Sequence, residues 1–251
     1  MKLAMLSDLH ANLPALEACL EHARAQGAER FAILGDLVGY GPHPAEVVDL
    51  CRDLADQGAI VLRGNHDTLE RNPVQTGATW GDMTAAWTHQ RLDDAQREWL
   101  AQQPLTARFE NAFLVHASAL EPARWTYVDS EPMALRSLQA ALATDASVRY
   151  VFGGHVHEQT LWYRGAAGGL MRFAPRPGVA IPAAPHRQWL ATIGSVGQPR
   201  DGDARAGYAM FDSGARQIIF HRVGYERGPV VAAMRALGLP AVLANRLETA
   251  R

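Results

Sequence analysis

Five apolar segments of this sequence are each followed at once by residues that could bind a metal or transfer a proton. The residues occur in SDLH (7–10), GD (35–36), RGNHD (63–67), His116 and GGHVH (153–157). Five of the ten histidines of the chain lie there, beside several aspartates. Imidazole and carboxylate groups are ligands of divalent cations and are also general acids and bases, so the pattern predicts chemistry of one of these kinds.

The apolar segments themselves have the length and composition of buried strands. They occupy residues 3–6, 31–34, 60–62, 112–115 and 148–152. Helical periodicity at 13–26 and 44–57 separates the first three, and this alternation predicts an α/β sheet with crossover helices. Ligands of such sheets bind beyond the carboxyl ends of the strands. The five polar loops are therefore expected to converge on one place.

The rest of the chain predicts further helices and strands within a single domain, 1–251. Residues 78–103 form a helical, cap-like segment, and 226–247 form one helix with a helical tail. Apolar runs broken by Gly and Pro follow residue 158 and favour a second, more antiparallel sheet. The large apolar side chains of the cap-like segment are expected in the core rather than in a substrate platform, because apolar residues at helical spacing usually pack inward. They are Trp80, Met83, Trp87 and Trp99.

Composition excludes several classes of protein. The 251 residues carry a formal net charge of −2, so there is no basic excess typical of a binder of long nucleic acids. No apolar run reaches the length needed to span a membrane. The two cysteines, Cys19 and Cys51, lie in helical stretches and indicate a reducing compartment rather than a disulfide scaffold. We therefore expect a cytoplasmic protein without a membrane partner.

The candidate ligands are too many for a single small ion. They are Asp8, His10, Asp36, Asn65, His116, His155 and His157. Asp8 and His10 are two residues apart, as are His155 and His157, so in an extended segment each pair would project from one face. Two metals that share one bridging carboxylate would use the whole set. Mixed imidazole and carboxylate ligation without thiolate suits Mn²⁺, Fe, Zn²⁺ or Mg²⁺.

The motifs together resemble those of the calcineurin-like metallophosphoesterases, in particular a bacterial branch of predicted phosphodiesterases. The matching blocks are DLH at 8–10, GDLVGYGP at 35–42, GNHD at 64–67, His116 and GHVH at 154–157. All five occur in the order of the family, and similarity continues through 87–105 and 194–203. The resemblance implies a four-layer α-β-β-α sandwich of two mixed sheets with the metal site at one edge.

The resemblance also implies roles for individual residues. One metal would be held by Asp8, His10, Asp36 and His157, and the other by Asp36, Asn65, His116 and His155. A hydroxide that bridges the two metals would attack phosphorus. The metal expected is manganese, with Fe, Zn²⁺, Mg²⁺, Ni²⁺ and Co²⁺ as alternatives.

Four residues near these ligands are candidates for catalysis or substrate binding. His66 follows a ligand but belongs to neither set, which fits a general acid, and Asp67 could orient its ring or simply cap the following turn. Arg63 is a candidate for contact with a phosphate oxygen or for a structural ion pair. The glycine-rich loop 194–203 could bring Arg200 to a phosphate or be a plain turn.

The substrate class stays open within the predicted hydrolase activity. A small phosphodiester or nucleotide is favoured, and a phosphomonoester, a phosphoprotein or a dinucleoside polyphosphate are alternatives. The block GDLVGYGP lacks the Asp-Arg-Gly of protein serine/threonine phosphatases, which argues against a phosphoprotein. A non-catalytic interaction scaffold on the same fold is a hypothesis of another class, but a scaffold need not keep His66 and all seven ligands. The oligomeric state cannot be inferred.

Overall fold

A computed structural model describes residues 1–69, 79–165 and 169–251. The helices are α1 (Leu13–Ala25), α2 (Pro44–Asp56), α3 (Asn65–Leu69), α4 (Trp80–Arg91), α5 (Asp94–Gln102), α6 (Glu131–Thr144), α7 (Arg227–Ala236) and α8 (Ala241–Thr249). The strands are β1 (Lys2–Leu6), β2 (Arg30–Ile33), β3 (Ile60–Val61), β4 (Thr106–Phe109), β5 (Ala112–Val115), β6 (Tyr150–Gly153), β7 (Gln159–Arg164), β8 (Leu170–Phe173), β9 (Ala180–Pro182), β10 (Trp189–Ile193), β11 (Ala206–Asp212) and β12 (Gln217–Val223).

The strands form two six-stranded mixed sheets. The first has the order β3-β2-β1-β11-β12-β9, and the second has the order β4-β5-β6-β10-β7-β8. Strands β1, β2 and β3 are parallel, as are β5, β6 and β10, whereas the other pairings are antiparallel. The carboxyl ends of the two parallel sets carry the polar loops, which places the loops along one edge of each sheet.

Three apolar clusters give the fold its four layers. The cluster between the sheets joins Leu3 and Phe211 of the first sheet to Phe152 of the second. On the outer face of the first sheet, α1 and α2 bury Leu16 and Val47. On the outer face of the second sheet, α6 covers a third cluster. The predicted α-β-β-α sandwich of two mixed sheets is confirmed.

The structure corrects the expected division of the sheets. Strands after residue 158 do not form a sheet of their own, because β9, β11 and β12 join the first sheet and β7, β8 and β10 join the second. Sequence patterns also missed β4, β9 and the short helix α3. Local periodicity does not reveal which sheet a strand joins, since that choice depends on partners distant in the chain.

The predicted helical segment 78–103 consists of the two helices α4 and α5. A new helix begins after Asp93, which is the N-cap of α5. Its side chain accepts a hydrogen bond from the Gln96 amide, and the Gln96 side chain accepts one from the Asp93 amide. Residue 78 lies outside the described part of the chain. The expected burial of Trp80 and Met83 is wrong, since they are 42% and 52% exposed. Helix α4 thus has large apolar side chains facing solvent at its N-terminal end.

The helix and helical tail that the sequence predicted at 226–247 are the helices α7 and α8, which pack against each other. Gly238 makes the turn between them with a φ of 71°, which is unfavourable for residues with a side chain. The pair buries Met234 and Leu247 in a fourth apolar cluster that also contacts Tyr40 and Trp87. None of the helices in the described residues combines the length and the apolar character needed to cross a membrane.

Candidate metal centre

Backbone hydrogen bonds join the polar loops to one another at the strand ends. The amides of Asp8 and His10 donate to the carbonyls of Gly35 and Asp36, each at 3.0 Å. On the second sheet the Gly154 amide donates to the His116 carbonyl at 2.7 Å. The loop after β10 connects the two sheets, because the Gly197 amide donates to the Asp8 carbonyl at 2.9 Å. The predicted convergence of these loops is therefore present.

Two groups of buried ligand atoms lie side by side in this region. Asp8, His10 and His157 form the first, with ligand atoms within 4.8 Å of one another. In this group His157 Nε2 lies 3.2 Å from both Asp8 Oδ1 and His10 Nε2. The spacing suits side chains that share one cation.

The second group consists of Asp36, His116 and His155. His116 Nε2 lies 3.2 Å from His155 Nδ1, 3.4 Å from Asp36 Oδ2 and 3.3 Å from Asn65 Oδ1. The same Asp36 Oδ2 lies 3.7 Å from His10 Nε2 of the first group. A single carboxylate oxygen thus faces both groups.

The hydrogen bonds of the histidines fit a bound cation. His10 Nδ1 and His157 Nδ1 lie 3.1 Å and 2.5 Å from the carbonyl oxygens of Val38 and Gln198, which accept only. Each Nδ1 must therefore carry the proton, and each Nε2 of a neutral ring presents a lone pair. The two Nε2 atoms lie 3.2 Å apart beside the Asp8 carboxylate. A histidine whose Nδ1–H is anchored to a backbone carbonyl typically presents its other ring nitrogen to a metal.

The electrostatics of the site also favour cations. Burial opposes ionisation of Asp8 and Asp36, but the neighbouring histidines outweigh it and hold the pKa of both carboxyl groups below its usual value. Burial lowers the pKa of His10, and it lowers the pKa of His155 to about 4. At His116 burial is outweighed by Asp36, which raises the pKa to about 9. A cation bound in the second group would therefore compete with a proton for His116.

Five of the seven predicted ligands have left-handed backbone conformations. The φ angles of Asp8, His10, Asp36, His155 and His157 are 54°, 45°, 53°, 66° and 62°. The expectation that each pair projects from one face of an extended segment is wrong, because these residues lie in tight turns after the strands. Left-handed residues with a side chain cost about 1–3 kcal/mol each and cluster at functional sites. The turn geometry explains why His155 and His157 enter different groups.

Glycines allow the loops to approach one another closely. A Cβ on Gly154 would lie 1.9 Å from Ser7 Oγ and 2.4 Å from Asp8 Oδ2. A Cβ on Gly64 would lie 2.2 Å from Asp36 Oδ1. The glycines that precede the ligands in sequence thus leave the space that ligands from other loops occupy.

His66 lies beside both groups without joining their closest contacts. Its amide donates to Asp36 Oδ1 at 2.9 Å, and its ring lies 4.4 Å from that of Tyr40. Ligand atoms of His66, His10 and Asp36 also fall within 4.8 Å of one another. Burial lowers the pKa of His66, although the Asp36 carboxylate opposes this effect.

Asp67 and Arg63 make contacts with the backbone, which fits the structural alternatives for these two residues. Asp67 Oδ1 accepts hydrogen bonds from the amides of Leu37 and Val38, and its Oδ2 accepts one from Gly64. The carboxylate therefore ties two ligand loops together and does not orient the His66 ring. Burial, together with the Asp36 charge, raises the pKa of Asp67 to about 7. Arg63 points away from the ligands, since its Nη1 donates to the Ala101 carbonyl at 2.6 Å.

A cavity of about 320 Å³ opens over the two groups. Its walls contain Arg200, as the sequence suggested, together with residues that sequence analysis had given no role there. Those residues are Tyr40, Thr79, Trp80, Gly81, Tyr127 and Arg246. Tyr40 lies within the GDLVGYGP block, which was a signal for it, but nothing in the sequence pattern pointed to Tyr127 or to Arg246 in the helical tail.

Residues 1–216 match the model of the calcineurin-like phosphoesterase superfamily domain. The chain belongs to this family. A crystal structure of a metallophosphoesterase from Sphaerobacter thermophilus is 32% identical, with a TM-score of 0.87 and coverage of 100% of this chain and 99% of that one. Family membership identifies the protein as a phosphoesterase, and the grouped His and Asp side chains are those of a family that binds divalent metal ions.

Other relatives match with lower sequence identity or over a shorter part of the chain. An uncharacterized protein of Methanocaldococcus jannaschii is 29% identical over 99% of this chain and 98% of its own length. The phosphodiesterase YfcE of Escherichia coli is 38% identical over 40% of this chain and 55% of its own. The symmetrical bis(5′-nucleosyl)-tetraphosphatase of Cronobacter sakazakii is 31% identical over 58% of this chain and 52% of its own. The chain thus matches about half the length of these two named enzymes.

Substitution of Gly154 by Ala tests whether the close approach of loops positions the metal ligands of this phosphoesterase. We expect Gly154→Ala to displace Asp8 and to lower the metal content of the purified protein, measured by plasma mass spectrometry. Gly224→Ala is the matched control, because a Cβ there meets nothing within 4 Å. Equal metal content in wild type and Gly154→Ala would show that the predicted collision does not govern the ligands.

Proposed function

We propose that this calcineurin-like phosphoesterase is a two-metal hydrolase of small phosphate esters, in a single domain of residues 1–251. The observation that carries the proposal is the position of Asp36 Oδ2, which faces the first group at 3.7 Å and the second at 3.4 Å. One metal would be held by Asp8, His10, Asp36 and His157. The other would be held by Asp36, Asn65, His116 and His155. Manganese is the proposed ion, with Fe, Zn²⁺, Mg²⁺, Ni²⁺ and Co²⁺ as alternatives, and oxygen and imidazole donors without thiolate are compatible with it.

The bound cations would lower the pKa of a shared water towards about 7 and neutralise charge that develops on the phosphoryl group. The chain supplies the other functions. Asp36 aligns the two groups, and the carbonyls of Val38 and Gln198 fix the rings of His10 and His157. Arg200, in the cavity wall, is placed to donate to a phosphate oxygen.

His66 is the proposed general acid. Its ring lines the cavity and is anchored through its amide to Asp36, so it adjoins the point where an ester would lie. Burial lowers the pKa of the free ring, but the negative charge of a bound ester acts in the opposite direction. His66 is therefore expected to take up its proton with the substrate and to pass it to the leaving oxygen.

A small phosphorylated substrate suits this chain better than a long nucleic acid. The net charge is −2, and the positive side chains at the site are the arginines of the cavity wall. A phosphodiester is favoured by the YfcE relative, and a nucleoside polyphosphate by the tetraphosphatase relative. A protein phosphatase role is disfavoured, because GDLVGYGP lacks the Asp-Arg-Gly of those enzymes.

Hydrolysis of simple aryl esters tests the proposed activity. Protein stripped with a chelator should be inactive, and reloading with Mn²⁺ should restore turnover of an aryl phosphodiester or its matching monoester. Product is measured by absorbance of the released phenol. Failure to cleave either ester with two metals bound per chain would contradict the proposal and favour the scaffold hypothesis.

Substitution of the proposed acid separates catalysis from metal binding. His66→Gln should retain two metals and should lose about 10²–10⁴-fold in kcat on esters with poor leaving groups, because these need a proton most. The loss should be smaller on esters with good leaving groups. His186→Gln, which changes an exposed histidine, is the control. Unchanged turnover of the poor leaving groups would rule out His66 as the acid.

A further inference from the structure

The helical pair α7–α8 lies beyond the residues that match the family model, yet it contributes to the cavity over the metal groups. The family match ends at residue 216, and α8 places Arg246 in the cavity wall together with Arg200. A terminal helical pair that only covered apolar surface would not need a charged side chain there. The position of Arg246 therefore points to a part in substrate binding.

Packing fixes α8 relative to the metal groups. Leu243 and Leu247 are buried in the apolar cluster that also contacts Tyr40. Arg246 precedes Leu247 and is half-buried. The Gly202 amide donates to the Ala250 carbonyl at 3.1 Å, so the loop that carries Arg200 is bonded to the end of α8. The two arginines are thus held by connected elements.

Arg246 differs from nearby arginines in its partners. Arg235 pairs with Glu248 at 3.2 Å, and Arg205 pairs with Asp203 at 2.6 Å. Within the described residues the guanidinium of Arg246 has neither a hydrogen bond nor an ion pair. A cation in the last turn of a helix interacts favourably with the helix dipole. This interaction contributes less free energy than a charge-assisted hydrogen bond would. Its half-buried charge faces a cavity and is available to an anion.

The same cavity exposes aromatic rings. Trp80 is 42% exposed and Tyr127 is 47% exposed, and the Tyr127 ring stacks on His155 with 4.1 Å between centroids. The Arg200 guanidinium lies 5.7 Å from the centre of the Tyr40 ring. Exposed aromatic surface beside a phosphate site can stack with a nucleobase. A substrate with a base and several phosphates would use all of these groups.

We propose that Arg246, with Arg200, binds phosphates of the substrate other than the one attacked, and that the substrate is a nucleoside polyphosphate. The inference rests on the proposed phosphoesterase function and assigns its substrate class. In the reaction, the oxygen of water bonds to one phosphorus, and the P–O bond of the phosphoanhydride breaks. The departing phosphate leaves with the electron pair of that bond and accepts the proton of His66, and the proton lost by water goes to solvent.

Binding of unreactive nucleotides tests the role of Arg246 without turnover. The probes are AMP, with one phosphate, and an ATP analogue with methylene groups in place of its bridging oxygens. Calorimetry in excess Mn²⁺ should show that Arg246→Gln lowers the affinity for the analogue by about 10- to 100-fold, as expected for a lost charge-assisted hydrogen bond. The loss of affinity for AMP should be at least fivefold smaller. Arg246→Lys should recover part of the loss.

Arg235→Gln is the matched control. It removes the same charge from the same helical pair, but Arg235 is 55% exposed and pairs with Glu248. Its affinities should equal those of wild type. Three results would overturn the inference. Arg246→Gln could lose equal affinity for AMP and for the analogue, or Arg246→Gln and Arg235→Gln could have equal effects. Wild type could also fail to bind the analogue.

Kinetics distinguish failure of this inference from failure of the proposed function. With a dinucleoside tetraphosphate, Arg246→Gln should raise KM at least tenfold more than it does with an aryl phosphodiester, with a smaller change in kcat. In one outcome, wild type cleaves aryl esters but Arg246→Gln changes the KM for the tetraphosphate no more than the KM for the aryl phosphodiester. That result would refute the substrate class alone. Wild type that cleaves no ester would refute the function, and the binding experiment would still decide whether Arg246 contacts polyphosphate.

Discussion

The crowding of electron-pair donors at the strand ends is the constraint on which this structure depends. The Nε2 atoms of His10 and His157 lie 3.2 Å apart beside the Asp8 carboxylate, and Asp36 lies between them and a second group. Buried carboxylates and ring nitrogens this close together are unfavourable unless a proton or a cation lies between them. Divalent cations bound there would convert the same arrangement into a stable site, and their binding energy would offset the cost of assembling it.

The fold holds these groups together by local distortion that the two sheets support. Five ligands have left-handed backbone conformations, and Gly64 and Gly154 allow contacts too close for any side chain. Asp67 ties the loops after β2 and β3 together through three backbone amides. The apolar core between the sheets fixes the strand ends, so the strained turns cannot relax independently. The stability of the core thus offsets the unfavourable backbone conformations of the site.

The family resemblance predicted the layers, and local signals predicted which residues would gather at the strand ends. Parallel strands of one sheet carry their following loops at the same edge, so the loops of Asp8 and Asp36 could be placed together without coordinates, whereas the approach of the His155 loop depends on how the two sheets pack. The direction of a long side chain depends on packing instead. Arg63 turns to the Ala101 carbonyl, and Arg246 reaches the cavity only because α8 packs beside Tyr40. Neither outcome has a signature in spacing or periodicity.

The central claim is that Asp36 bridges two cations, and anomalous diffraction from crystals soaked in Mn²⁺ tests it most directly. The account predicts two peaks about 3.5–4 Å apart, with Asp36 between them, one beside Asp8, His10 and His157 and the other beside Asn65, His116 and His155. Asp36→Asn crystals should lose occupancy at one or both peaks. A single peak in wild type, or two fully occupied peaks in Asp36→Asn, would contradict the claim.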